Sequence, residues 1–121
     1  MTLTLNARTR DEHRLAELDR DEEGFLLDAY AWHQGLIDTF AAEDGLELTP
    51  ERRAVIHYIR AYFEENLSVP EARTLLRHLR ETWGKDKATR RYLYQLFPRG
   101  YGQQACKFAG MRKPRKLMLD V

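Results

Sequence analysis

Cysteine is almost absent from this chain: Cys106 is the only one in 121 residues. A single thiol excludes an internal disulfide and any all-cysteine metal site. The four histidines, His13, His33, His57 and His78, stand without ligand spacing, none of them four residues from another, so no metal is expected. Long apolar runs are missing as well. None approaches the roughly 20 residues that a membrane span needs, and Met1-Thr2-Leu3-Thr4-Leu5 lacks the basic and apolar blocks of a signal peptide. The expectation is a cytoplasmic protein with no membrane span. There is no phosphate-loop or hydrolase motif, no internal repeat and no low-complexity tract, and no cofactor is expected.

What is present describes one globular domain. Hydrophobic residues make up 43% and charged residues 32%, which suits a single core surrounded by solvated helix faces. The net charge of +1 hides a division along the chain. From Lys85 to Val121 ten Lys/Arg stand against two Asp/Glu, whereas the preceding residues carry ten against seventeen. A basic C-terminal region on an acidic body favours an acidic protein surface, nucleic acid or a small anion as partner. The plainer reading is a solubilising tail.

Helical signals dominate the middle of the chain. Asp28 is placed to cap a first helix with Trp32, Leu36, Ile37 and Phe40 on one face and Gly45 at its end. Thr49-Pro50-Glu51 gives a cap, a first-turn proline and a first-turn acid, and Val55, Ile56, Ile59, Tyr62 and Phe63 line one side of a second helix. Ser68-Val69-Pro70-Glu71 has capping-box spacing before a third helix, with Ala72, Leu75, Leu76, Leu79 and Trp83 inward and Gly84 as its stop. A fourth starts near Lys87 and ends at Pro98, because the residue before a proline avoids the helical region. The Cys106 segment is a fifth, of one or two turns. Gly110 stops it and Pro114 cannot continue it.

The second and third helices, joined by the short turn at Glu65-Asn66-Leu67-Ser68, have the outline of a helix-turn-helix. Arg73 and Thr74 would then be nucleic-acid contacts. Two helices joined by a short turn are also the ordinary way helical domains pack. Cys106 is open to two readings. Arg99, Lys107, Arg112, Lys113, Arg115 and Lys116 surround it in sequence, and cations favour the reactive thiolate. Cysteine is equally at home as a small buried apolar group.

The run Tyr92-Leu93-Tyr94-Gln95-Leu96-Phe97-Pro98 followed by Gly100-Tyr101-Gly102-Gln103-Gln104-Ala105-Cys106-Lys107-Phe108-Ala109-Gly110 resembles the C-terminal signature of the DsrC/TusE family of sulfur-relay proteins. The resemblance extends upstream through Asp21-Glu22-Glu23-Gly24-Phe25-Leu26, Trp32 and Gly45-Leu46-Glu47-Leu48-Thr49. It implies a mainly α fold: a compact helical domain of about five helices over residues 21–110, a polar segment 1–20, and a mobile basic C-terminal arm over 111–121. It also implies a small N-terminal β-hairpin, with Arg14 to Asp19 and Gly24 to Leu27 as its strands.

Family members carry sulfur as a persulfide on a penultimate cysteine of the arm. That position lies eleven residues beyond the cysteine of the inner segment, and here it is Leu117. The chain continues to Val121, and Arg112 stands where a proline is usual. Only the inner thiol remains, so Cys106 is the candidate persulfide site, with the surrounding cations Arg99, Lys107, Arg112, Lys113, Arg115 and Lys116 as candidate binding residues. The implied function is sulfur transfer between proteins in tRNA thiolation, sulfur oxidation or sulfite reduction. The implied partners are sulfurtransferase complexes of the TusBCD/DsrEFH type or dissimilatory sulfite reductase. The alternative is a non-carrier regulatory paralogue that binds those partners, or nucleic acid, through the helix-turn-helix-like element.

Overall fold

The computed structural model describes residues 19–113. Four α-helices follow one another: α1 (Gly35–Asp44), α2 (Pro50–Asn66), α3 (Ala72–Trp83) and α4 (Arg90–Leu96). A π-helical turn, Tyr101–Cys106, then leads through Lys107 and Phe108 to the end of the described chain. The protein is mainly helical, as expected.

The strongest local signals act as the sequence suggests. The Thr49 hydroxyl accepts from the Arg52 N–H at 3.2 Å, with Pro50 in the first turn of α2. Gly45 ends α1 at φ 66°, and the Leu46 N–H returns to the Ala41 carbonyl at 2.9 Å. Thr89 caps α4 by accepting from the Tyr92 N–H.

Two expected caps are built differently. Asp28 caps only a 3₁₀ turn, Ala29–Ala31, by accepting from the Tyr30 N–H. The chain then extends through Trp32, and α1 begins at Gly35. An extended Trp32 leaves the helix so that its indole can reach a distant carbonyl. The capping box at Ser68 does not form either: Glu71 is the N-cap of α3 and makes no side-chain cap hydrogen bond. The Pro70 carbonyl is taken instead by the buried Tyr101 hydroxyl at 2.5 Å, a long-range bond that local spacing cannot announce.

Among the described residues there is no strand. Arg20 and Leu26 form one antiparallel bridge around a tight turn in which Asp21 accepts from the Glu23 and Phe25 N–H groups. The expected first hairpin strand, apart from Asp19, lies outside the described residues.

The core gathers Leu36, Ile37 and Phe40 of α1, Val55, Ile56 and Ile59 of α2, and Leu75 and Leu79 of α3. The C-terminal segment completes it. Phe97, Ala105, Cys106, Phe108 and Ala109 are all fully buried, and the Phe108 ring stacks on Phe40 at 6.1 Å. Each fully buried large side chain contributes about 1.5–3 kcal/mol, so this segment is structural as well as chemical.

Candidate functional site

The site is the turn that carries the only thiol. Gly100 enters it at φ 105°, and the wide Tyr101–Cys106 turn follows. π-Helical turns are rare and concentrate at functional positions. Behind it the helix closes with a double bond pattern: the Gly110 N–H donates to the Lys107 carbonyl and the Met111 N–H to the Cys106 carbonyl, with Gly110 at φ 83°. Met111, the first residue of the expected arm, is 1% exposed.

Cys106 itself is 0% exposed. Burial pushes its thiol up to about 12, and the nearby Tyr101 hydroxyl offsets only part of this. Tyr101 is raised for the same reason, first by burial and then by its proximity to Cys106. At neutral pH the pair is therefore protonated in this conformation, and the thiolate that chemistry requires is scarce.

The surrounding cations do not converge on the sulfur. Arg99 is exposed and reaches Asp44 at 3.5 Å. Lys107 is buried, with its ammonium 5.8 Å from the centre of the Phe25 ring. Lys113 pairs with Glu23 at 2.6 Å, and Glu23 also accepts from Gln103 at 3.1 Å, which together hold its carboxyl below the usual range. Arg112 is exposed. Arg115, Lys116 and Leu117 lie outside the described residues. Arg73 and Thr74 sit at the start of α3, Arg73 outward and Thr74 half-buried.

Three features escape a reading of the sequence. Gln104 is 2% exposed and ties the turn down: its amide donates to Asp44 at 3.2 Å, and its carbonyl oxygen accepts from the Arg99 N–H at 3.1 Å. The Trp32 indole donates to the Phe108 carbonyl at 2.8 Å. Arg60, 8% exposed, donates to the Ala29 and Ala109 carbonyls at 3.0 and 3.3 Å and to Glu64 at 3.1 Å, and its guanidinium lies 4.5 Å over the Trp32 ring. A signal for Arg60 did exist. It falls four residues after Ile56, on the apolar face of α2, where a charge needs partners.

Trp32 and Arg60 thus hold the backbone from which the chain runs out beyond Gly110. Replacing Arg60 with Met should lower stability by about 2–3 kcal/mol, because the buried Ala109 carbonyl and the half-buried Ala29 carbonyl lose their donor. Urea unfolding checks it. An unchanged midpoint would show that the carbonyls find other donors.

The fold and site define a small helical protein whose C-terminal segment, bearing one buried thiol, is rooted in the core. The sequence profile described as DsrC like protein matches residues 12–118, and the chain belongs to that family. It is 36% identical over 100 residues to the sulfurtransferase TusE of Escherichia coli, covering 83% of this chain and 92% of the relative. Among solved structures, DsrC of Allochromatium vinosum is similar with 42% identity and a TM-score of 0.72, covering 81% of this chain and 88% of that one. The oxidized γ-subunit of dissimilatory sulfite reductase (DsrC) from Archaeoglobus fulgidus gives 32% and 0.71, covering 81% and 90%.

Proposed function

We propose that this protein is a sulfur-relay protein of the DsrC/TusE type, moving sulfur between proteins in tRNA thiolation or in sulfur oxidation and sulfite reduction. The observation that carries this reading is family membership over residues 12–118, a span that includes the whole segment around Cys106. Relatives named as sulfurtransferases and as a sulfite reductase subunit support it. Its partners are then sulfurtransferase complexes of the TusBCD/DsrEFH type or dissimilatory sulfite reductase, met in the cytoplasm.

Cys106 is the sulfur-bearing group in this reading, since it is the only thiol. Its thiolate attacks the outer sulfur of a donor persulfide. A new S–S bond forms to Cys106 as the donor's S–S bond breaks, and the donor leaves as a thiolate, so sulfur moves without net oxidation. Release repeats the step with an acceptor thiolate from another molecule. Because Cys106 is buried, the Tyr101–Cys106 turn must open before either step.

Intact-mass measurement after incubation with a persulfide donor tests the role of Cys106. The expected result is a slow, partial gain of about 32 Da, the mass of one added sulfur, that Cys106→Ser abolishes. If no gain appears under conditions that load a relative with a terminal cysteine, Cys106 is not the carrier.

A further inference from the structure

The relay function leaves one surface of the molecule without a task. Helix α3 buries Ala72, Leu75 and Leu79, and its opposite side carries Arg73, Arg77 and Arg80, all exposed. At 100° per residue these three side chains fall within about 60° of arc and along about 10 Å of helix. Arg73 and Arg77 are walls shared by two adjoining hollows, and Arg80 lines the second. One, of about 480 Å³, is mainly polar and is lined by Arg73, Arg77, Tyr62, Ser68, Thr74, Val69 and Glu71. The other, of about 330 Å³, lies between Arg73, Arg77 and Arg80 over Leu76 and Ala88. The only acid within ion-pair range of the stripe among the described residues is Glu71, 3.9 Å from Arg73, and both of those side chains are more than half exposed. Such a pair is weak and leaves the stripe open to a better partner.

We propose that this face docks an acidic segment of a protein partner, with carboxylates on the arginine walls and an apolar side chain in the hollow over Leu76 and Ala88. The inference rests on the relay reading and names where the relay partner sits. One observation favours protein over nucleic acid. The floor of the hollow over Leu76 and Ala88 is aliphatic, and a phosphodiester backbone offers nothing apolar to fill it. Arginine beside apolar contact area is also the composition in which protein-binding energy concentrates. The stripe would steer an acidic partner during encounter, so the effect depends on salt.

The test measures binding of the full chain to a purified sulfurtransferase complex of the TusBCD type or to dissimilatory sulfite reductase, and separately to a short DNA duplex, at low and moderate salt. The variant Arg73→Glu/Arg77→Glu/Arg80→Glu should bind the complex more than about tenfold more weakly with an unchanged melting curve. If that variant fails to fold, the triple Arg→Gln variant gives the same loss in smaller measure and keeps the surface testable. Wild-type affinity in a folded variant overturns the docking face while the relay reading stands. Arginine-dependent capture of the duplex with the complex indifferent overturns it in favour of a phosphate-reading surface. If the wild-type chain binds neither a sulfurtransferase complex nor dissimilatory sulfite reductase, the relay reading falls and the docking face falls with it.

Discussion

Iodoacetamide should alkylate Cys106 in the folded protein about a thousandfold more slowly than an exposed thiol, since moving its pKa from 9.0 to about 12 removes that much thiolate at neutral pH. Complete burial slows it further. In urea the rate should return to that of an ordinary thiol. The same shift sets a pH dependence of stability. Folding holds the thiol protonated, so its contribution is fully present below about pH 9, where the unfolded chain is also protonated. Between about 9 and 12 the unfolded chain ionises first, and stability falls. Tyr101, raised as well, adds to the loss in the same direction. Urea midpoints should therefore drop between about pH 8 and about pH 10.5, and Cys106→Ala should flatten the drop. Rapid alkylation of the folded protein at neutral pH would sink this account and show a turn that opens freely.

Gly110→Ala should cost at least about 3 kcal/mol, or force the root of the C-terminal segment off the core. A Cβ at this position would lie 2.5 to 2.7 Å from Cδ1, Cγ and Cβ of Trp32, in a backbone conformation at φ 83° that side chains rarely adopt. Trp32 cannot retreat cheaply, because its indole is bonded to the Phe108 carbonyl and covered by Arg60. Trp32 fluorescence and thermal unfolding report the two effects together. Gly45→Ala serves as the control, since it has a positive φ of 66° but nothing within 4 Å of the added atom. If the two substitutions cost the same, backbone strain alone is at work and the close approach to Trp32 is unimportant.

Much of the helical layout is legible in the chain because its causes are local. Thr49-Pro50 starts α2, and Gly45, Gly84 and Gly110 stop their segments, within a few residues of the bonds they make or prevent. The apolar periodicity of α2 and α3 names the core residues of those two helices, Val55, Ile56, Ile59, Ala72, Leu75 and Leu79, in the same way. The thiol segment is equally visible as a motif, since its residues are contiguous.

The environment of that thiol is decided elsewhere. Cations close to Cys106 in sequence suggest activation, yet Lys113 turns to Glu23, Arg99 to Asp44 and Lys107 onto Phe25. Sequence distance is a poor guide to electrostatics when a wide turn sends neighbouring side chains in different directions. Trp32, Arg60 and Pro70 meet the C-terminal segment across 76, 49 and 31 residues respectively. The sequence by itself determined the helices, the single thiol and the family, through propensities and motifs that act over short spans. Only the tertiary structure decided that the thiol is buried and protonated and that an arginine and a tryptophan grip the root of the segment, because burial and long-range hydrogen bonds exist only once the helices have packed.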